Sequence, residues 1–119
     1  MTKRPEPARP ATPPRQPTLR QLRGFKEVAR YASFSRAAQA LALSQPALSS
    51  AIRELETLMG VALFERSTHH VRLTPAGLAA RAQIEWLLNT YTQGADDLQR
   101  LLDTQAATVR IGCIPSTMH

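Results

Sequence analysis

Residues 35–52 read SRAAQALALSQPALSSAI, and this segment determines the architecture of the protein. Alanine and leucine recur at helical spacing on both sides of a short break. Ser44 is a good N-cap after the break, and Pro46 lies in a first helical turn, where its missing N–H costs nothing. The pattern predicts a short helix over about Ser35–Ala42, a tight turn, and a longer helix over about Gln45–Met59. Together they form a helix-turn-helix unit.

The flanking segments complete a mainly α-helical domain with a small hairpin. Apolar residues on one face predict a first helix over about Leu19–Arg30. Beyond the third helix the spacing of the apolar residues is no longer helical. Leu63–Arg66 and Val71–Thr74 are predicted to be the two strands of a β-hairpin. A long helix over about Pro75–Asp103 follows. The predicted fold is a winged helix-turn-helix, with the hairpin as its wing, followed by a long dimerisation helix.

The predicted third helix has one buried side and one polar side. Leu48, Ile52, Leu55 and Met59 are spaced four, three and four residues apart, which predicts a single buried stripe. Gly60 is expected to end the helix in a left-handed conformation.

Composition divides the chain into four parts. Residues 1–18 hold six of the nine prolines and show no hydrophobic periodicity, which predicts a disordered basic tail. This tail either adds non-specific phosphate contacts or is a solvated leader without effect. Residues 19–74 form the winged domain, and residues 75–104 form the long helix. Residues 105–119 hold a strand with nothing to pair with, so we expect them to begin a truncated second domain.

Positive charge is concentrated in the N-terminal two-thirds of the chain. The formal net charge is +6, yet residues 75–104 carry two cations against four anions. A domain that binds a polyanion needs its positive charge concentrated in this way. A basic domain whose charge serves only solubility would show the same concentration of charge. The single cysteine, Cys113, excludes an internal disulfide and a cysteine-based zinc site. No apolar run approaches a membrane span, so a cytoplasmic protein is expected.

The third helix is predicted to enter the major groove of double-stranded DNA. That groove is about 12 Å wide and accepts one helix, whose first turns meet the base edges. Gln45 can pair with adenine, and Arg53 can reach guanine or a phosphate. Helix N-termini can bind phosphates, and the wing would lie near the adjacent backbone or minor groove. The candidate DNA-binding residues are Ser33, Ser35, Arg36, Ser44, Gln45, Pro46, Ser49, Ser50, Arg53, Arg66, His69, His70 and Arg72.

The long helix carries a heptad seam of apolar residues. The distance along the chain between successive members alternates between four and three residues. The members are Ile84, Leu88, Tyr91, Ala95, Leu98 and Leu102. A second copy of the chain would cover this seam in a homodimer. The alternative is that the first helix and the hairpin cover it within one chain.

Four segments together resemble the DNA-binding domain of LysR-type transcriptional regulators. They are LRQLRGF, SFSRAAQALALSQPALSSAIRELE, GVALFER and VRLTPAG. The resemblance covers residues 19–104 and extends to Val109–Pro115, which is similar to the first strand of that family's effector-binding domain. It implies dimers through the linker helix, tetramers of the full-length protein, and binding to an interrupted dyad near a promoter. It also implies a small-molecule inducer bound only by the second, α/β domain, which is expected to be missing here beyond its first strand.

Two positions depart from the family pattern. Ser50 stands where members often carry arginine after the serine of the recognition helix, and His69 stands where they often carry arginine in the wing tip. Both changes remove a permanent cation, so we expect weaker phosphate anchoring there, for which the basic tail can compensate. If His69 or His70 contacts a phosphate, DNA binding should strengthen below about pH 6.5 as imidazole protonates.

Other classes of function are not supported by the sequence. No serine, cysteine, histidine and acid converge by spacing, so neither an enzyme nor a cofactor is predicted. His69 and His70 are adjacent, and adjacent histidines on a strand would point to opposite faces, which does not favour a metal site. The alternative from another class is a dimerising winged-helix module that binds protein without specific DNA binding. Such modules usually lose positive charge on the third helix and the wing, whereas four arginines remain here.

Overall fold

The computed structural model describes residues 16–68 and 70–110. Its elements are α1 (Leu19–Tyr31), α2 (Phe34–Leu41), α3 (Gln45–Met59), β1 (Phe64–Arg66), β2 (Val71–Leu73) and α4 (Pro75–Arg110). The predicted mainly α-helical fold, with a winged helix-turn-helix and a long final helix, is confirmed. Most of the predicted basic tail and the wing-tip residue His69 lie outside the described residues. The chain forms two compact units, one ending at Leu78 and the other beginning at Ala79.

Side-chain caps set the starts of the first three helices. The hydroxyl of Thr18 accepts a hydrogen bond from the backbone N–H of Gln21, and the Gln21 side chain accepts one from the N–H of Thr18, both at 3.1 Å. This reciprocal pair is a capping box. Ser33 caps α2 and Ser44 caps α3 in the same way, each accepting from the N–H three residues later. Each cap thereby satisfies at least one of the N–H groups that the helix start would otherwise leave unpaired.

The turn between α2 and α3 is closed by a residue in the left-handed region. Ala42 has φ 56°, which ends α2 at Leu41, one residue before the predicted end. The N–H of Leu43 donates to the carbonyl of Ala38 at 2.9 Å. An L-residue in this region costs roughly 1–2 kcal/mol, so the packing of the two helices must offset that cost. Gly60 ends α3 at φ 74°, as predicted.

The core of the N-terminal unit lies where α1, α2 and α3 meet. Its largest fully buried side chains are Phe25, Val28, Leu48, Ile52 and Leu55. The hairpin joins this core through Phe64, whose ring centroid lies 5.2 Å from that of Phe25. Tilted ring pairs at this distance are attractive beyond the area that they bury.

Met59 was predicted to extend the buried stripe of α3, and that prediction is wrong. Met59 is 45% exposed. The last turn of α3 is largely open to solvent, since Thr57 and Gly60 are exposed as well. The stripe therefore ends at Leu55.

The hairpin is held against the start of α4 by a close backbone approach. β1 and β2 pair antiparallel, with Phe64 opposite Leu73. The Thr74 hydroxyl donates to the carbonyl of Ala62 at 2.7 Å and accepts from the N–H of Gly77 at 3.0 Å. A Cβ on Gly77 would lie 2.2 Å from the carbonyl oxygen of Leu63. Only glycine permits this approach.

α4 extends further than the sequence predicted. It continues through residues 104–110, past the predicted end at Asp103, because these residues include good helix formers and the next glycine is Gly112. The predicted strand at Val109–Pro115 is therefore wrong at its first two residues, which are helical. The remainder of that strand lies outside the described residues. Within the described residues, α4 and the shorter helices all lack the combination of length and hydropathy needed to cross a membrane.

Candidate nucleic-acid interface

α3 has one face in the core and one face in solvent. Leu48 and Ile52 are fully buried, whereas Gln45, Ser50 and Arg53 are exposed. The Arg53 guanidinium donates to the Ser49 hydroxyl at 3.4 Å. This bond directs the cation back along the helix, toward its N-terminal half. The exposed face therefore offers amide, hydroxyl and guanidinium groups on a helix whose opposite face is buried in the core.

A cleft of about 450 Å³ lies between the starts of α2 and α3 and the hairpin. It brings together six of the predicted site residues from three elements. These are Ser33, Ser35, Gln45, Ser49, Arg66 and His70. Hydroxyl and cationic side chains in this arrangement are the groups that bind phosphate oxygens.

The other predicted residues that the structure describes lie outside this cleft. Ser50 and Arg53 share a second concave surface, of about 390 Å³, with Glu54 and Thr57 of the same helix. The guanidinium of Arg36 lies 5.7 Å from the centroid of the Tyr31 ring. Ser44 and Pro46 are exposed at the start of α3. Arg72 is exposed on β2, where it lies opposite Glu65 of β1.

Glu56 connects α3 to the hairpin, and sequence reasoning missed it. One of its carboxylate oxygens accepts hydrogen bonds from the N–H groups of Leu63, at 2.8 Å, and Phe64, at 3.1 Å. The other accepts from the Arg66 guanidinium at 3.2 Å. That guanidinium also lies 4.9 Å from the centroid of the Phe34 ring. The bonds join residues seven to ten positions apart across a turn, so no local pattern in the sequence could have revealed them.

The wing turn is closed by Ser67. Its N–H donates to the carbonyl of His70 at 2.8 Å, and its hydroxyl accepts from the N–H of His70 at 3.0 Å. Serine at a turn start is a recognisable sequence signal, because its hydroxyl bonds to the backbone. The turn leaves the side chain of His70 exposed beside the cleft.

Comparison with known proteins identifies the family. The family model described as bacterial regulatory helix-turn-helix protein, lysR family, matches residues 19–78, half of the chain. The chain belongs to the LysR family. The resemblance stated from the sequence is thereby confirmed.

Curated LysR relatives extend well beyond this chain in length. A probable hydrogen peroxide-inducible genes activator from Streptomyces viridosporus is 45% identical over 105 residues, covering 86% of this chain and 33% of the relative. The HTH-type transcriptional regulator CfxR from Cupriavidus necator is 38% identical over 102 residues, covering 86% of this chain and 32% of CfxR. The chain thus spans about a third of the length of these relatives.

Solved LysR structures share the fold. The oxidized form of Corynebacterium glutamicum OxyR matches with a TM-score of 0.68 at 41% identity, over 70% of this chain and 27% of OxyR. The BenM DNA-binding domain in complex with catB site 1 DNA matches with a TM-score of 0.68 at 35% identity, over 71% of this chain and 94% of that domain. Vibrio fischeri DarR in complex with DNA matches with a TM-score of 0.67 at 32% identity, over 71% of this chain and 29% of DarR.

Proposed function

We propose that this LysR-family chain is a sequence-specific, DNA-binding transcription regulator that reads a dyad operator as a homodimer. The observation that carries the proposal is α3, whose apolar face is buried while its polar face is open at the N-terminal half. Helix-turn-helix proteins place this part of the second helix in the major groove. The similarity to the BenM domain and to DarR, both solved with DNA, supports the same use here.

The exposed face of α3 supplies the base contacts in this proposal. Gln45 can pair with adenine through its amide, and Ser49 can donate to or accept from either kind of base pair. Arg53, aligned along the helix by its bond to Ser49, can reach guanine. Each good bidentate contact contributes about 1–3 kcal/mol of discrimination against the wrong base.

The cleft beside α3 supplies phosphate contacts. Ser33 and Ser35, whose hydroxyls lie 3.2 Å apart at the start of α2, face the same cleft as His70 of the hairpin. Phosphate contacts of this kind fix register and orientation without reading sequence. Arg66 already binds Glu56, so we assign it to holding the wing against α3. Arg72 and the wing tip would lie along the adjacent backbone.

We assign the dimer contact to the distal part of the heptad seam. Ile84 and Leu88 are 7% and 6% exposed. Tyr91, Leu98 and Leu102 are 49%, 56% and 53% exposed. An apolar seam on a long helix is stabilised when a second helix covers it. The part from Tyr91 to Leu102, which includes Ala95, is solvent-exposed, and we assign the contact with the second chain to it.

In this proposal the two α4 helices of the dimer run antiparallel. About a two-fold axis between Gly94 and Ala95, Tyr91 would face Leu98 of the other chain, and Leu87 would face Leu102. The test uses single-cysteine chains, with Cys113→Ser as background. A mixture of Tyr91→Cys and Leu98→Cys chains should form disulfide-linked dimers, while efficient self-linking of either variant alone would refute the antiparallel pair.

Selection of preferred sequences from a random duplex pool tests the proposed function. We expect an enriched dyad whose half-sites lie on one face of the duplex, with affinity that falls steeply as salt rises. Weak binding without enrichment would contradict sequence-specific recognition. The absence of binding at low salt would favour a protein-binding module instead.

A further inference from the structure

A concave surface lies on each flank of the exposed face of α3. On one flank, Gln45 and Ser49 line the cleft that α3 shares with the hairpin. On the other flank, Ala47 and Ser50 line a surface of about 310 Å³ that α3 shares with the start of α1, which we call the α1–α3 surface. Successive residues of a helix lie about 100° apart around its axis, so Ser49 and Ser50 face different sides. The exposed Arg53 lies between the two flanks.

Arg20 is the cation that lines the α1–α3 surface. It is exposed in the first turn of α1 and borders the same concavity as Ser50. Within the part of the chain that the structure describes, its guanidinium forms no ion pair. Its charge therefore faces solvent on the flank of α3 that lies away from the hairpin.

Hydrogen bonds set the position of Arg20 relative to α3. Glu54, the anion on the α1–α3 surface, accepts a hydrogen bond from the side-chain amide of Gln21 at 3.3 Å. Gln21 is only 7% exposed and also forms the capping box with Thr18. The first turn of α1 is thus joined to α3 at the turn that carries Ser50 and Glu54.

A helix in the major groove lies between two walls, which are the phosphate backbones of the two strands. The groove is about 12 Å wide and a helix with its side chains is about 10–12 Å across, so both walls lie close to the helix. The cleft offers Ser35 and His70 to one wall. On the opposite flank, α3 offers the hydroxyl of Ser50 and α1 offers the guanidinium of Arg20.

From this placement we infer that Arg20 binds a backbone phosphate on the wall of the major groove opposite the wall contacted from the cleft. The inference rests on the proposed function, since it requires α3 in the groove. Arg20 supplies from α1 a cation on the flank where α3 itself presents only the hydroxyl of Ser50. The contact adds affinity without sequence preference, because phosphates carry no base information.

A salt series on the selected duplex measures the contact. Arg20→Gln should make the slope of log K against log salt shallower by about 0.9 for each lost phosphate contact, or about 1.8 for a dimer that loses one in each half-site. Arg30→Gln is the matched control, because it removes a cation from the other end of α1, where the side chain is 63% exposed. Its slope should equal that of the parent. Both variants should keep the parent's urea midpoint, since both residues are exposed.

Ethylation interference on the same duplex tests which wall Arg20 contacts. Arg20→Gln should lose interference at phosphates of one strand in each half-site. Ser35→Ala should lose it at phosphates of the other strand, across the major groove. Loss at the same phosphates in both variants would overturn the inference. A salt slope of Arg20→Gln equal to that of the parent or of Arg30→Gln would also overturn it while leaving the proposed function standing, and a parent that binds no DNA would overturn both.

Discussion

Glu56→Ala tests whether one carboxylate holds the wing to the recognition helix. The substitution removes the acceptor for the N–H groups of Leu63 and Phe64 and the ion-pair partner of Arg66. Leu63 and Phe64 are only 2% and 5% exposed, so their N–H groups cannot turn freely to water. The helices themselves keep their caps and their core. The expected damage is therefore confined to the junction of α3 and the hairpin.

The magnitude follows from the two backbone donors more than from the ion pair. A buried N–H left without a partner costs about 1–3 kcal/mol. The Arg66 side chain is 33% exposed, and partly exposed ion pairs contribute at most about 1 kcal/mol. Allowing for water that enters the space of the lost side chain, we expect Glu56→Ala to lower the free energy of unfolding by about 2–4 kcal/mol. That is a large part of the about 5–15 kcal/mol typical of a folded domain.

Urea unfolding followed by far-ultraviolet circular dichroism, at one fixed chain concentration, measures this loss. Glu65→Ala is the matched control, because Glu65 lies exposed on β1 and should change stability by less than about 0.5 kcal/mol. Arg66→Ala should cost less than Glu56→Ala, since it leaves both N–H bonds in place. A Glu56→Ala chain as stable as the control, or an Arg66→Ala chain that is less stable than Glu56→Ala, would refute the assignment.

Three further outcomes are expected. Arg53→Ala should weaken binding to the selected duplex by about 1–3 kcal/mol and relax specificity at one base pair, measured by fluorescence anisotropy against single-base variants of the site. Gly77→Ala should lower stability in urea by about 1–3 kcal/mol or more, because its Cβ would meet the carbonyl oxygen of Leu63. Leu98→Lys should raise the dimer dissociation constant more than about a hundredfold in analytical ultracentrifugation, since a symmetric dimer loses two buried leucines worth about 1.5–3 kcal/mol each.

Each of these changes has a control on the same element or of the same charge. Arg30→Ala removes an exposed cation at the end of α1 and should leave base discrimination unchanged. Leu78→Ala alters an exposed neighbour of Gly77 and should change stability little. Gln99→Lys adds charge beside Leu98 but off the seam, so the dimer should persist. Effects of equal size in variant and control would contradict the corresponding assignment.

The local elements were predictable because their signals are local. Helical spacing, a serine cap and a glycine stop placed α3 at Gln45–Met59, and the structure has the same bounds. The same periodicity separated Gln45 and Arg53 from the buried Leu48. The polar face of the recognition helix was therefore a property of the sequence. The errors lie at the ends, where Met59 is exposed and α4 continues past Asp103, because periodicity does not show where a packing partner stops.

Contacts between distant residues depended on the tertiary structure. The cleft that joins Ser33 to His70 exists only because the hairpin folds back beside α2 and α3. Glu56 binds two N–H groups that are free only because the chain turns after Gly60, and Gly77 must be glycine only because Leu63 lies against it. Periodicity and capping act over three or four residues, so the sequence determined the helices and their polar faces. Which side chains meet across the hairpin was decided by packing.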